Sequence, residues 1–505
     1  MIQSIQSAAD LAPAYDLVVV GAGPAGISAA IEASTHGLAV FLADENETPG
    51  GQIYRSVERA SDADLVRLGP DYAAGRRFVE RFQRADVSYA RRATVWNVGP
   101  ADEEIGDGAH ALEVGISLGG IARPIAAHRV ILATGALERP FPIPGWTMPG
   151  VMAAGGAQIL MKSSGLVPSG RTILAGTGPL LYLLASQLLR AGVSVIAVVD
   201  TTPVENWRLA LPHVLSFAAS PYAPKGLKLL LDVQRQTCVI RGATALEAVG
   251  SGQFSALRIH RGNKSVRIEG DLLLLHQGIA PNLNLTLAAG CDYSWDEHLA
   301  AFRPTIDARG ASSVPGVSIA GDAAGIVGAV ASAHQGELAG LSAALDLNRI
   351  GQGVYEQRRN ELTRKLARAL RGRTFIEHRF RPSKTYRVPE DATIVCRCEE
   401  IAAGKLREVA ALGVPGPNQM KTFTRCGMGP CQGRLCSLTA VELLAQCRGV
   451  APGEVGYYRL RPPIKPVTLG ELAALPHTEA AIVAVAGFVE RAADGAQDVI
   501  HGSHQ

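Results

Sequence analysis

Long hydrophobic runs are missing from this chain of 505 residues. The longest, such as Leu272 to Leu275, fall far short of the roughly 20 apolar residues that cross a bilayer, so no transmembrane segment is expected. An excess of one charge sign is also missing. A formal net charge of +3 removes the electrostatic case for a nucleic-acid surface. The N-terminus lacks a basic region followed by an apolar core, so a secretory leader is not expected and a cytoplasmic location is. No C-x-x-C precedes residue 396, which leaves no adjacent dithiol in the first three quarters of the chain. Cys238 and Cys291 stand alone there and read as small buried hydrophobes.

Glycine and alanine, by contrast, are plentiful, and the length suits two to four α/β domains. In "YDLVVVGAGPAGISAAIEASTHGLAVFLADE" an apolar strand runs into Gly21, Gly23 and Gly26, then an alanine-rich helix, then a second strand ending at Asp44 and Glu45. One glycine makes the tight turn, one admits a pyrophosphate to the backbone, and one lets helix and strand pack closely. The helix N-terminus supplies amide donors and dipole to the phosphates, and the acid accepts ribose hydroxyls. A second such unit, "RTILAGTGPLLYLLASQLLRAGVSVIAVVD", begins 155 residues on. Gly176 and Gly178 match the first two glycines and Asp200 closes the second strand, but Leu181 replaces the third glycine and should push the helix away from the strand. NAD(P) or another adenine nucleotide, or an empty crevice, are all open for this unit.

Further echoes come from "HRVILATGALERP", with Thr134 and Gly135, from "GDLLLLHQGIAPN", and from "VSIAGDAAGIVGAVASAHQGELAG", with Gly321 and Asp322. Together these motifs resemble the flavoproteins with two dinucleotide-binding domains, the group of thioredoxin-reductase-like enzymes. The resemblance implies FAD, with Asp322 on its ribityl chain and Gly50, Gly51 and Gln52 lining the flavin side. It also implies a split FAD domain (14–150 and 300–345) around an inserted Rossmann-like unit (151–299). The missing redox C-x-x-C argues against disulfide reduction.

Five of the eight cysteines lie between 396 and 436. Cys396 and Cys398 form C-x-C; after 27 intervening residues Cys426 and Cys431 form C-x4-C, in the glycine-rich "RCGMGPCQGRLC". Thiolates at such spacing suit zinc or an iron–sulfur cluster, and glycine amides can donate to the sulfurs. A small helical domain (391–450) gripping a metal is expected, because so small a core needs a staple. Cys436, one helical turn further on, reads as structural and as the first substitute ligand; Cys447 reads as packing. The spacing resembles that of bacterioferritin-associated-ferredoxin-like [2Fe-2S] domains. Between the domains, Leu362, Leu366 and Leu370 form a narrow apolar stripe on a basic connector helix within 346–390. The stripe reads as a solvated connector, with a docking surface for another subunit as the alternative. The proline-punctuated segment from 451 should wrap over another domain or a partner, with a flexible tail to 505. His276, His334 and His378 read as structural histidines, and no catalytic residue is assigned.

Taken whole, "PGGQIYR", "ATGALERPFPIPGW", "GTGPLL", "AGDAAGI" and "CRC…TRCGMGPCQGR" resemble the A (α) subunits of heteromeric flavin dehydrogenases. These include opine oxidases of the octopine and nopaline type, D-hydroxyproline and L-proline dehydrogenases and hydrogen cyanide synthase. That resemblance implies a FAD-containing catalytic β (B) subunit, admits a small third subunit and an FMN at a subunit interface, and leaves the electron acceptor unknown. Two other readings stand beside it: a self-sufficient NAD(P)H-dependent FAD/[2Fe-2S] oxidoreductase, and a scaffold whose sites hold only an adenine nucleotide.

Overall fold

A computed structural model describes residues 1–101, 112–475 and Val483. Apart from Val483, the tail expected to be flexible from about His477 lies outside them. The apolar run Ala14–Val20 is the central strand of an eight-stranded sheet, flanked in parallel by Val40–Asp44 and by the last residues of Ile121–Leu132. Ser88–Arg91 and Gln3–Ile5 extend one edge, and antiparallel Leu112–Leu118 and Thr94–Pro100 extend the other. The late strand Val317–Ile319 also joins this sheet, pairing in parallel with Val130–Leu132. Apolar clusters cover both faces, which is why its central strands are continuous Val/Leu/Ile runs rather than alternating ones.

Pro24–Thr35 packs lengthwise on the late helix Ala329–Asp346, and small residues set the distance. A Cβ on Gly336 would fall 2.0 Å from the Ala25 carbonyl oxygen, and one on Gly26 would fall 1.8 Å from that of Gly21. Ala or larger at Gly336 would force the two helices apart, and at Gly26 it would push the first helix off the glycine loop and the strand beside it.

The second unit is an all-parallel sheet in the order Cys238–Arg241, Val195–Asp200, Thr172–Thr177, Leu272–Gln277, Val151–Ala153. A three-stranded antiparallel sheet over residues 245–269 packs beside it. The chain enters and leaves this unit through one ribbon, Ala136–Glu138 paired antiparallel with Ile279–Pro281. Thr134, Gly135 and Asn282 lie at its base, where Asn282 N donates to the Gly135 oxygen at 3.0 Å and Thr134 Oγ1 to the Asn282 oxygen at 3.2 Å.

The connector helix, Gln352–Leu370, is not free of the body. Leu362 is fully buried against Leu338, Leu341 and Tyr355, and Arg358 clasps Glu32 at 2.9 and 3.0 Å. The leucine stripe is therefore largely spent within the chain, on the helix Ala329–Asp346. Cys238 is exposed at the start of an edge strand, and Cys447 is exposed on its helix, so neither packs as expected. Cys291 is buried.

The cysteine-rich region has its own core of helices Ala403–Ala411, Pro417–Thr424 and Ser437–Arg448 around Leu406, Met420, Val441 and Leu444. Ile401 lies in a two-residue strand against Ile394–Cys396 rather than on a helix, because the chain must turn back between Cys398 and the helix. The proline-punctuated segment beyond it returns to the first sheet. Ile464 N bonds the Trp96 oxygen at 3.1 Å, and Lys465 pairs with Glu45 at 2.6 Å.

Candidate functional site

Gly21 (φ +106°) turns the chain at the end of the first central strand, and Gly23 caps the following helix with no side chain over its N-terminal amides. Gly51 comes so close that a Cβ on it would lie 2.9 Å from Gly23 Cα, so the GGQ turn and the glycine loop form one backbone cradle. Free amides at a helix N-terminus and space closed to side chains fit a dinucleotide pyrophosphate. Asp322 lies across the same helix pair. Its Oδ1 accepts from Val327 N (2.8 Å) and Gly328 N (2.9 Å), while Oδ2 has no partner among the described residues and is free for a ligand hydroxyl. Gly321 N donates to Gln335 Oε1 at 3.0 Å.

Asp44 has a second job. Its Oδ2 accepts from Ala22 N at 2.5 Å and its Oδ1 from Asn46 N and Nδ2 at 2.7 and 2.6 Å, so the carboxylate staples the glycine loop to the strand end. Burial raises its pKa despite those donors. Glu45 faces outward to Lys465. Asp44→Ala is expected to lose the bound dinucleotide and to cost roughly 1–3 kcal/mol by leaving Ala22 N buried and unpaired. Ligand content after gel filtration and chemical denaturation check both.

In the second unit the acid at the strand end is bonded by its own neighbours. Asp200 Oδ2 accepts from Tyr182 OH at 2.6 Å, and Oδ1 accepts from Thr202 N at 2.8 Å and from its hydroxyl. Tyr182 follows Leu181, which is fully buried where a third glycine would admit the helix. Burial, then Asp200, pushes the Tyr182 phenol up, so it stays a donor. A Cβ on Gly176 would collide with the His276 carbonyl at 1.6 Å, so this loop keeps the turn of a dinucleotide site. Gly178 begins the helix at φ +106°. Asp200, like Asp44, thus has both oxygens bonded within the chain, and Leu181 in place of a third glycine is what sets this unit apart from the first. His276 Nδ1 lies 2.7 Å from Glu138 Oε1, and His334 and His378 bond Glu337 and the Leu209 carbonyl.

Lys162 crosses the seam between the two units. Its Nζ donates to the Gln52 oxygen (3.0 Å) and Gln158 Oε1 (3.2 Å), with no carboxylate in ion-pair range among the described residues. Burial, then Arg55, lowers its pKa from 10.5 to about 7. The unfolded chain therefore binds the extra proton between those values. The penalty is fully present below pH 7 and fades as pH rises toward 10.5. Stability should rise over that window, and Lys162→Met should flatten the rise in a series of denaturation curves.

In the cysteine-rich region the Sγ atoms of Cys396, Cys426 and Cys436 lie within 4.8 Å of one another, and all three residues are buried. Cys398 and Cys431 bond each other at the solvent side of the same loop, Cys398 being exposed and Cys431 half-buried. The structure thus brings Cys396 and Cys426 together but adds Cys436, which its spacing alone marks only as a substitute. A signal for it exists in the sequence: C-x4-C occurs twice, as Cys426/Cys431 and as Cys431/Cys436. Hydrogen bonds from Cys426, then Cys436, hold Cys396 far below an ordinary thiol, while Cys396 pushes both partners up. Three sulfurs sharing one negative charge need a cation before they can all ionise. The amides of Gly427 and Glu399 donate to Cys396, and Gly429 leaves no room for a Cβ beside Cys398 (2.3 Å to its Cβ). This donor set fits a thiolate-bound metal or iron–sulfur centre.

These two sites lie on a chain whose residues 15–340 match the family described as pyridine nucleotide-disulphide oxidoreductase; residues 393–475 match the sarcosine oxidase A3 domain. The fold defines an oxidoreductase subunit of that dinucleotide-binding class. More narrowly, the chain belongs to the family of the opine oxidase A-subunits. It is 46% identical to the A-subunit of opine oxidase from Rhizobium meliloti over 96% of this chain and 92% of that one. It is also 46% identical to that of Agrobacterium tumefaciens (strain Ach5), over 96% and 97%. Hydrogen cyanide synthase subunit HcnB of Pseudomonas protegens is 31% identical over 89% of this chain and 96% of that one. In fold, the chain is similar to L-proline dehydrogenase from P. horikoshii, with a TM-score of 0.64 at 20% identity over 94% of this chain and 80% of that one. No helix among the described residues is long and apolar enough to cross a membrane.

Proposed function

We propose that this chain is the electron-transferring subunit of a heteromeric flavin-dependent oxidoreductase that dehydrogenates a secondary amine of the opine class, such as octopine or nopaline. Amine oxidation itself belongs to a FAD-containing partner subunit. In this reading Gly21, Gly23, Gly26, Gly51, Gln52, Asp44, Gly321 and Asp322 hold FAD. Four thiolates drawn from Cys396, Cys398, Cys426, Cys431 and Cys436 hold a [2Fe-2S] cluster. A flavin carries one or two electrons and such a cluster one at a time, so the pair would divide a two-electron oxidation into single steps. The chain's own residues orient these groups: the glycine cradle and the helix amide ends face the phosphates, Asp322 Oδ2 faces a ribityl hydroxyl, and the amides of Gly427 and Glu399 face a sulfur. Five clustered thiols with aimed amides, on the same chain as a dinucleotide cradle, carry the reading. Kinship with the opine oxidase A-subunits supports the substrate class.

The test uses the chain purified with its native partner. Visible and EPR spectra are recorded before and after octopine, nopaline, hydroxyproline or NADH, with iron, sulfide and flavin measured. The expected outcome is flavin bleaching and a reduced [2Fe-2S] signal with an opine, dependent on the partner, and no response to NADH. Amine oxidation by the chain alone, or reduction by NADH alone, defeats the proposal. Leu181, buried where a third glycine would stand in the second unit, is the observation that speaks against the self-sufficient reductase.

A further inference from the structure

Arg139 leaves the ribbon that joins the two dinucleotide-type units and turns inward, 5% exposed. Its Nη1 and Nη2 donate to the carbonyl oxygens of Ala300 (2.9 Å) and Leu299 (2.7 Å), while its buried Nε has no hydrogen-bond partner. No carboxylate among the described residues forms an ion pair with it. The charged side chain that does act on it is another guanidinium, Arg387, which is itself committed to Glu442. Burial lowers Arg139 only to about 10, so it remains a cation at neutral pH. An isolated buried charge is among the costliest groups a fold can hold, and the usual remedy is a counter-ion.

Arg139 also lines a cavity of about 20 Å³ where the ribbon meets the cysteine-rich region. About 10–15 Å³ suffices for one water-sized occupant. A second guanidinium, Arg434, lines the same cavity, and its bonds run to the Cys431 and Ile464 carbonyls rather than to an acid. The lining acid, Glu138, is engaged by His276 and by Gly155 N (2.8 Å). Two cations whose hydrogen-bond partners are backbone carbonyls line one small cavity, and the acid beside them is already taken.

We infer that this cavity is a binding site for a small monovalent inorganic anion of chloride size, held by Arg139 and Arg434 at the junction of the ribbon and the cysteine-rich region. The ion balances Arg139 and ties the ribbon to the hairpin Tyr293–Pro304, whose Phe302 packs into the cysteine-rich core. The inference is independent of the amine and of the metal.

Crystals of the full chain soaked in sodium bromide, with anomalous maps, are expected to carry one bromide in the cavity between the Arg139 and Arg434 side chains. In solution, chloride should raise the thermal midpoint on the order of 1–3 °C over gluconate at equal ionic strength, and Arg139→Gln should abolish that chloride-specific increment. Bromide peaks on the surface alone would mean an adventitious ion only and overturn the site. So would a chloride increment that survives in Arg139→Gln. If that variant does not fold, the bromide map of the unmodified chain decides.

Discussion

Cys396→Ser is expected to strip the chain of its iron and of any reduced-cluster EPR signal, and to unfold the cysteine-rich region first. Cys396 is one of three sulfurs that lie within 4.8 Å of one another, and the amides of Gly427 and Glu399 converge on it. Losing it removes a ligand and the focus of the local donors together. Structural metal sites contribute on the order of 10 kcal/mol where the surrounding fold depends on them. A region with three short helices over one small core should therefore lose at least several kcal/mol. Single substitutions at all five clustered cysteines sort the ligands, because a [2Fe-2S] cluster uses four. Four of the five variants should lose iron and one should retain it. Full iron in two or more would rule out a four-thiolate centre.

Arg387→Ala should be the most damaging change outside the thiols, costing roughly 3–5 kcal/mol. Arg387 pairs with Glu442, and the two side chains are 11% and 5% exposed. Glu442 lies on the helix that follows Cys436, and its other oxygen, Oε1, has no partner among the described residues. Removing the guanidinium leaves a buried carboxylate alone. Replacing both residues by leucine should recover most of the loss, since two apolar groups leave nothing unpaired. The chain has several cores and need not unfold in one step, so the readout is amide exchange along Ser437–Arg448 rather than a global midpoint.

The second of these results could not have been written from the sequence alone, although the candidate ligand Cys396 and much of the architecture could. The glycine loop at Gly21 to Gly26 announces itself because backbone chemistry leaves few alternatives to glycine there. The late Gly321-Asp322 turn and the cysteine group are legible for the same reason: local spacing carries the chemistry. Arg387 and Glu442 are 55 residues apart and Arg139 and Ala300 161 apart, so no local pattern links them. Asp44 reads as a ribose acid by its place after a strand, and its staple to Ala22 appears only when the loop folds back. Tyr182, by contrast, stands in plain view beside Leu181, but its hydroxyl meets Asp200 only across the paired strands. Cys436 is hidden by ambiguity rather than distance, since either C-x4-C pair satisfies the spacing.

Units joined by a thin connector usually swing against each other. Here the seam away from the ribbon is bolted as well: Gln187 reaches the Leu68 carbonyl at 2.9 Å, Lys162 reaches that of Gln52, and Lys225 pairs with Asp71. The two units are fastened at both ends of the seam, so a swing of one against the other would have to break the Gln187, Lys162 and Lys225 contacts together.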